Sequence, residues 1–337
     1  MKTYGSKHNL SAPIKAFFIL FIGLSVLFAS VTEVQASSWK KVNKYGPSDR
    51  YRYGAAYDST NKFVLIFGGK DGPGDEYSDF WKWDGVKWSE IITATHPSNR
   101  QEHALVYDKD RKILVFFGGW QSGSTNSYQK DTWEWNGQSW KEILKKGPSA
   151  RSTHSMVYDS KRKKIILFGG TDDKKCLGDT WTYDRKGWRR VANSGPPGLL
   201  APSLAYDVER DQVVLFGGFN EQGYNGDTWI WNGSVWTKIS QTGPLPRMGA
   251  AMDYDASSGV VVLFGGIVGY WPNYLYFDDT WVWNDKKWTQ LKISGPSQRA
   301  NAKIVYNEKT KNFFLFGGDD PKASSALRDS WIFTYKK

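Results

Sequence analysis

The chain has 337 residues, a formal net charge of +11 and 18 each of tryptophan, tyrosine and phenylalanine. Its one cysteine, Cys176, excludes an internal disulfide framework, so packing must stabilise the fold. The positive charge favours contact with anionic polymers, but basic and acidic residues are interspersed and nucleic-acid-binding motifs are absent, so we expect no specific nucleic-acid binding.

The first segment, residues 1–36, has the pattern of a secretory signal peptide. Three lysines precede an apolar stretch at 16–29, and small residues lie at the cleavage positions in 34–36. The alternative is a membrane anchor, but about fourteen apolar residues fall short of the roughly 20 that span a bilayer as a helix. We therefore expect cleavage and a mature chain without a transmembrane anchor, either extracellular or associated with the cell envelope.

Removal of residues 1–36 takes away three lysines and Glu33, which leaves a formal charge of +9 on the mature chain. This charge makes an anionic wall polymer a candidate partner. The alternative is a solvated basic surface without a specific partner, because the longest basic run is only 161–164.

From residue 37 to the C-terminus, one pattern occurs six times. Each copy has Tyr-Asp (Tyr-Asn in the sixth), then an apolar run that ends in Phe-Gly-Gly, and then Asp-x-Trp. The Gly-Gly pairs lie at 68–69, 118–119, 169–170, 217–218, 265–266 and 317–318. Their spacing of 48 to 52 residues, with four short strands in each unit, is typical of a kelch-type propeller, and the chain closely resembles that family.

The apolar runs of the repeat have strand length. Runs such as 64–67 and 113–117 are unbroken, as expected for a strand covered on both faces. Trp81 and Trp83 are two residues apart, so they lie on one face of their strand and should fill the space between adjacent blades. The sequence therefore predicts an all-β fold, a six-bladed propeller in which each blade has strands a, b, c and d from the inside outward.

The sixth copy lacks the tryptophan that ends the other five. The segment that begins at Trp39 supplies the missing part, because residues 39–50 match residues 288–299 at a tryptophan, a Gly-Pro pair and an arginine. We therefore expect residues 37–43 to form the outer strand of the sixth blade. Pairing of the two chain ends would close the ring and leave no end from which it can fray.

Strand direction places two kinds of segment on one face of the ring. In an antiparallel blade, the b–c loop and the segment from strand d to the next strand a leave from the same face. The d–a segment reads Gly-Pro-x-x-Arg in most copies, which gives Arg50, Arg100, Arg151, Arg247 and Arg299, whereas the fourth copy has Leu199.

These five arginines have two interpretations. They could form a cationic ring at the channel mouth that binds an anion, since guanidinium groups offer bidentate geometry. They could instead belong to the scaffold, bonding loop carbonyls or stacking on neighbouring aromatic rings. Both interpretations stay open at the level of the sequence, and we include the arginines among the candidate binding residues.

Aromatic residues in the b–c loops are the other binding candidates. The loop of the fifth copy, residues 267–278, is the longest and carries five aromatics that the repeat does not require, among them Tyr270, Trp271 and Tyr274. Trp120 begins the equivalent loop of the second copy. Aromatic rings at one mouth suit a sugar face or a protein partner. The alternative is that the long loop packs on itself or on the adjacent blade.

Metal sites are weakly indicated. His103 and His154 share one repeat position, but the other copies have no histidine there, and the acidic loops lack the ordered spacing of a calcium site. We therefore expect no metal and no other cofactor.

Two kelch-like enzymes provide comparisons for catalysis. A copper-radical sugar oxidase needs two histidines and a cysteine linked to tyrosine, and Cys176 has no matching histidines. A sialic acid epimerase uses acid/base residues and channel arginines, so Glu102 or Asp253 on inner strands could act as a base in a similar reaction. An epimerase-like or lyase-like carbohydrate-active enzyme is therefore the alternative function, with no catalytic residue assigned.

Together these features predict a secreted, monomeric kelch-repeat module. Its partner is a glycan or an extracellular protein, bound on the face that carries the b–c loops and d–a segments.

Overall fold

The structure, a computed structural model, describes residues 36–42, 46–72, 76–123, 127–239, 242–270, 272–322 and 326–337. The predicted signal peptide falls outside these ranges except for Ala36, so its cleavage stays a prediction. In the part of the chain that the structure describes, no helix has the length and hydrophobicity to cross a bilayer.

The described residues form six antiparallel sheets of four strands, which are the blades of a propeller. The first strand, β1 (Ser38–Val42), belongs to the last blade. Blade 1 consists of β2 (Gly54–Asp58), β3 (Phe63–Phe67), β4 (Phe80–Trp83) and β5 (Trp88–Glu90). Blade 2 consists of β6 (Ala104–Asp108), β7 (Ile113–Gln121), β8 (Ser127–Trp135) and β9 (Trp140–Glu142). Blade 3 consists of β10 (Ser155–Asp159), β11 (Lys164–Phe168), β12 (Thr180–Asp184) and β13 (Gly187–Ala192).

Blades 4 and 5 each carry an additional short hairpin in the b–c loop. Blade 4 contains β14 (Ser203–Asp207), β15 (Gln212–Phe216), the hairpin β16 (Phe219–Asn220) and β17 (Gly223–Tyr224), then β18 (Thr228–Trp231) and β19 (Trp236–Ile239). Blade 5 contains β20 (Ala251–Asp255), β21 (Val260–Phe264), the hairpin β22 (Ile267–Val268) and β23 (Leu275–Tyr276), then β24 (Thr280–Trp283) and β25 (Trp288–Leu291). Blade 6 consists of β26 (Lys303–Asn307), β27 (Asn312–Phe316), β28 (Ser330–Thr334) and β1.

The two ends of the propeller meet in blade 6, as the repeat pattern predicts. Strand β1 pairs antiparallel with β28, from Ser38 opposite Thr334 to Val42 opposite Ser330. The inner strands β2, β6, β10, β14, β20 and β26 contact one another in a closed cycle. The prediction of an all-β, six-bladed propeller completed by the N-terminal strand is therefore confirmed.

The Gly-Gly pairs allow each blade to hydrogen bond with the next. The second glycine donates its N–H to the carbonyl of the repeat arginine, or of Leu199, in the next blade. Gly69, for example, donates to Arg100, and the six equivalent bonds measure 2.8 to 3.0 Å. The first glycine has a positive φ, and a Cβ there would lie only 2.4 to 2.8 Å from that same carbonyl oxygen. Only glycine combines a positive φ with the absence of a Cβ. The Gly-Gly pairs are therefore needed for packing one blade against the next rather than for ligand binding.

Tryptophans of the outer strands fill the spaces between blades. Trp39 is 9% exposed and its ring centroid lies 5.0 Å from that of Phe264 in blade 5. Its Nε1–H donates to Thr280 Oγ1 at 3.0 Å. The same bond, at 2.9 Å, joins Trp188 to Thr132, Trp236 to Thr180 and Trp288 to Thr228. The N-terminal strand thus continues the packing of the other blades.

Substitution of Trp39 tests the closure of the ring. We expect Trp39→Ala to lower the free energy of unfolding by about 3–5 kcal/mol, because it removes a buried ring from the interface between blades 5 and 6. Lys40→Ala, an exposed position on the same strand, is the control and should change the stability little. Urea denaturation checks both variants, and equal stability of the two would contradict the proposed role of β1.

Candidate functional site

The five repeat arginines lie inside the protein rather than at the channel mouth. Their exposed fractions are 0% to 2%. Arg50 donates to both carboxylate oxygens of Asp79, at 2.6 and 2.8 Å, and to the carbonyl of Gly68 at 3.0 Å. Equivalent arginine–aspartate pairs in the other blades are Arg100–Asp131, Arg151–Asp179, Arg247–Asp279 and Arg299–Asp329.

This arrangement corrects the binding role considered for these arginines. Each guanidinium group bonds within its own blade, and three also lie over aromatic rings: Arg50 is 4.4 Å from the Tyr77 centroid, Arg100 is 5.3 Å from the Phe116 centroid, and Arg247 is 3.7 Å from the Phe277 centroid. The pairs therefore belong to the scaffold, and an anion clamp at the mouth is not formed by them.

The pairing changes the titration of the aspartates. Burial alone would raise the pKa of Asp179, but the hydrogen bonds and charge of Arg151 outweigh burial and hold that pKa below its usual value. The carboxylate also accepts a hydrogen bond from Trp181 Nε1 at 2.7 Å. The aspartate of the Asp-x-Trp motif thus positions both the arginine and the tryptophan of the motif.

Blade 4 lacks the buried arginine–aspartate ion pair. Leu199 is completely buried where the other blades have arginine. Asp227 instead bonds Lys238 Nζ at 2.8 Å near the surface, and its backbone N–H donates to the Asn225 side chain at 2.8 Å.

Arg151→Leu is expected to destabilise the protein by about 3 kcal/mol, because it leaves the mostly buried carboxylate of Asp179 without its counter-charge. Arg151→Leu combined with Asp179→Asn should recover part of that loss, since the second change removes the uncompensated charge. Thermal and urea unfolding measure both variants, with the exposed Arg190→Leu as control. If Arg151→Leu cost no more than the control, the scaffold role would be wrong.

A ring of backbone hydrogen bonds surrounds the axis on the face of the b–c loops. The ring is formed by the residue two positions after each repeat arginine, or after Leu199. The N–H of each such residue donates to the carbonyl of the equivalent residue in the preceding blade, at 2.7 to 3.2 Å. All six residues have positive φ between 47° and 63°. They are Arg52, Glu102, Thr153, Ala201, Gly249 and Asn301. We call them the axial ring; five of the six are not glycine, so the cycle of bonds supports an uncommon backbone conformation.

A groove lies beside the axial ring, between the loops of blades 1, 2 and 3. Its volume is about 520 Å³, and its lining comprises Arg52, Lys70, Gln101, Glu102, Trp120, Tyr128 and Asp173. Trp120 is held by reciprocal backbone bonds with Gln101, at 2.8 and 3.0 Å. Tyr128 faces Trp120 across the β7–β8 ladder. The groove therefore combines aromatic and charged side chains on a rigid base.

Two of the charged side chains that line the groove form an ion pair. Arg52 Nη1 lies 2.8 Å from Glu102 Oε1, and the other oxygen of Glu102 accepts a hydrogen bond from Ser152 Oγ at 2.8 Å. Burial raises the pKa of Tyr128, and the charges of Asp173 and Glu102 raise it further. Sequence reasoning singled out Trp120 and Glu102 but missed Arg52, whose only signal was its place next to the d–a motif.

The aromatic residues of blades 4 and 5 form a second feature on the same face. Tyr270 is 64% exposed and Tyr274 is 40% exposed. The Tyr270 ring centroid lies 6.0 Å from that of Tyr224, whose hydroxyl donates to the Gly269 carbonyl at 2.6 Å. Trp271 lies outside the described residues. The long loop therefore packs partly on blade 4 and exposes two tyrosines, and none of its described residues lines the groove.

His103 and His154 are buried near the axis. The ring of His103 stacks on Phe116 at 4.5 Å, and its Nε2 accepts a hydrogen bond from the Gly54 N–H at 3.1 Å. Within the described residues, no group of three or more His, Cys, Asp or Glu side chains is placed to hold a metal.

Asp253, one of the two candidate bases, accepts hydrogen bonds from the backbone of its own strand and of a neighbouring inner strand. Its carboxylate accepts hydrogen bonds from the N–H groups of Tyr306 in blade 6, at 2.7 Å, and of Tyr254, at 2.8 Å. Burial in the channel raises its pKa to about 6, although both hydrogen bonds act in the opposite direction. The carboxylate is committed to the backbone, which argues against a role as a base.

The raised pKa of Asp253 predicts a pH dependence of stability. Its protonated form contributes stability below the unfolded pKa near 4, and that contribution is lost as pH rises through about 6. Asp253→Asn should remove this dependence, so the stability difference between variant and wild type should change by on the order of 2 kcal/mol from pH 4 to pH 7. Urea denaturation across this range measures it. Parallel curves for the two proteins would contradict the assignment.

Comparisons with known proteins agree with this architecture. Residues 134–295 match a family model described as the KLHDC2/KLHL20/DRC7 Kelch-repeats domain, and residues 25–186 match one described as the Attractin/LZTR1 beta-propeller. Together with the six repeats and six blades, these matches show that the chain is a kelch-repeat β-propeller. Propellers of this class are generally protein-binding modules.

A solved structure titled "Structure of YjhT" has the same fold. Its TM-score is 0.71 at 17% sequence identity, and the match covers 87% of this chain and 97% of that chain. At this identity the similarity concerns the fold alone. A search of curated proteins finds no significant match.

Proposed function

We propose that the protein is an exported, monomeric recognition module that binds a carbohydrate in the groove beside Trp120. The observation that carries this proposal is the juxtaposition of Trp120 and Tyr128 with the Arg52–Glu102 ion pair in one groove of about 520 Å³. Export rests on the lysine-rich and apolar segments within residues 1–36.

A sugar ring needs two kinds of surface. One face carries C–H groups that pack on an aromatic ring, while the hydroxyls at the edge need hydrogen-bond donors and acceptors. The groove supplies the first through its aromatic side chains and the second through Arg52, Glu102 and Gln101. Its volume lies in the range of small-molecule sites.

The carboxylate of Glu102 is fixed before any ligand arrives. Glu102 is oriented by both Arg52 and Ser152, and its backbone is held in the axial ring by bonds of 2.7 and 2.9 Å to the neighbouring blades. A rigid site avoids the entropic cost of ordering side chains on binding. Such preorganisation supports recognition of a small polar ligand.

A protein partner would use a different part of the same face. Tyr270, Tyr274 and Leu275 are exposed by 64%, 40% and 53% in blade 5, and exposed aromatic residues are common anchors in protein interfaces. Exposed aromatic and aliphatic side chains of this kind suit a protein partner. This surface therefore provides both the competing hypothesis and the control.

Glycan-array binding of the purified protein tests the proposal. Trp120→Ala should lower the affinity for a retained glycan at least tenfold, because it removes the aromatic surface, whereas Tyr270→Ala should leave it unchanged. Retention of no glycan, or loss of binding only in Tyr270→Ala, would overturn the carbohydrate assignment. Recovery of the glycan in chemically altered form would instead favour the epimerase-like or lyase-like alternative.

A further inference from the structure

The wall of the central channel is made of strand edges that need hydrogen-bond partners. Each inner strand leaves N–H and C=O groups on its channel side, and side chains from a neighbouring blade satisfy several of them. Ser203 Oγ donates to the Ala250 carbonyl at 2.8 Å, and the Tyr53 hydroxyl accepts from the Lys303 N–H at 3.1 Å. Some polar side chains in the channel therefore have a structural partner.

The ammonium group of Lys303 is an exception. The other blades have Gly, Ala or Ser at this position of the inner strand. Within the described residues, the Lys303 ammonium forms no hydrogen bond or ion pair. Lys303 is exposed to the channel solvent, and desolvation by the surrounding channel wall lowers the pKa of its ammonium group. The protein thus places an uncompensated cation in its own channel.

Lys303 occupies the junction of two cavities. The larger, of about 290 Å³, is the channel itself, and the turns between strands a and b form its opening. The smaller, of about 50 Å³, lies at the axial ring. A ligand in the larger cavity would enter from the face opposite the groove, so it would occupy a separate site.

His154 offers a second donor in the same place. It is 4% exposed and lines both cavities with Lys303, and among the described residues neither ring nitrogen has a hydrogen-bond partner in good geometry. At the equivalent His103, Nε2 accepts a hydrogen bond from the N–H of Gly54, where an added Cβ would lie only 2.7 Å from that nitrogen. Blade 2 has Ala104 at that position, and its Cβ explains why His154 lacks the bond.

We infer that the channel binds one small oxyanion, of the carboxylate or phosphate class, with Lys303 Nζ as the charged donor and His154 as a neutral donor. A cation is disfavoured because Lys303 repels it. Asp253, the nearest acidic residue of the neighbouring inner strand, has both oxygens occupied by backbone N–H groups. The ordinary alternative is that water alone hydrates both side chains.

Calorimetric titration of the purified protein with sodium acetate and, separately, sodium phosphate tests this inference, in a buffer without other oxyanions. One of the two anions should bind at a single saturable site. Lys303→Met should weaken that binding at least tenfold and His154→Phe about three- to tenfold, whereas Lys141→Met, an exposed lysine on β9, should not change it. Absence of saturable binding by both anions, or unchanged binding in Lys303→Met, would overturn the inference.

The position of the anion is a second, independent readout. Crystals soaked in bromide should show an anomalous peak within hydrogen-bonding distance of Lys303 Nζ, whereas peaks only at surface lysines would contradict the site. Trp120→Ala should leave oxyanion binding unchanged. Failure of the carbohydrate proposal would therefore not affect this result.

Discussion

The structure depends on one connection between neighbouring blades: the hydrogen bond from the second glycine of each pair to the carbonyl of the arginine, or of Leu199, that precedes the next inner strand. In five blades this arginine makes two kinds of contact. Its carbonyl accepts from the preceding blade, while its guanidinium group binds the aspartate and the glycine carbonyl of its own blade. Each d–a segment is thereby fixed to two blades at once, and the axial ring begins two residues further along.

Much of the fold follows from the sequence because its signals are local and repeated. The Gly-Gly pairs mark the ends of buried strands, and Trp39 matches Trp288, so six blades and their closure can be predicted without coordinates. Repetition is informative here because one unit cannot bury its own apolar faces and needs identical neighbours on both sides.

Much less of the candidate site could be predicted from the sequence. Arg50 and Asp79 are 29 residues apart, and nothing in either motif alone indicates that they pair. The axial ring has no compositional signal either, since Arg52, Glu102 and Ala201 share a backbone conformation rather than a chemistry. Trp120 could be singled out because the repeat does not require an aromatic residue there, whereas the role of Arg52 appears only when adjacent blades are brought together.

The axial ring separates recognition from stability. Main-chain groups alone form its six bonds, and residues as different as Arg52, Gly249 and Asn301 are accommodated in it. The side chains of the axial ring can therefore largely be exchanged, provided that each residue tolerates a left-handed backbone conformation. A propeller of this kind can acquire a new ligand by replacing a few residues around its axis while its blades stay as they are.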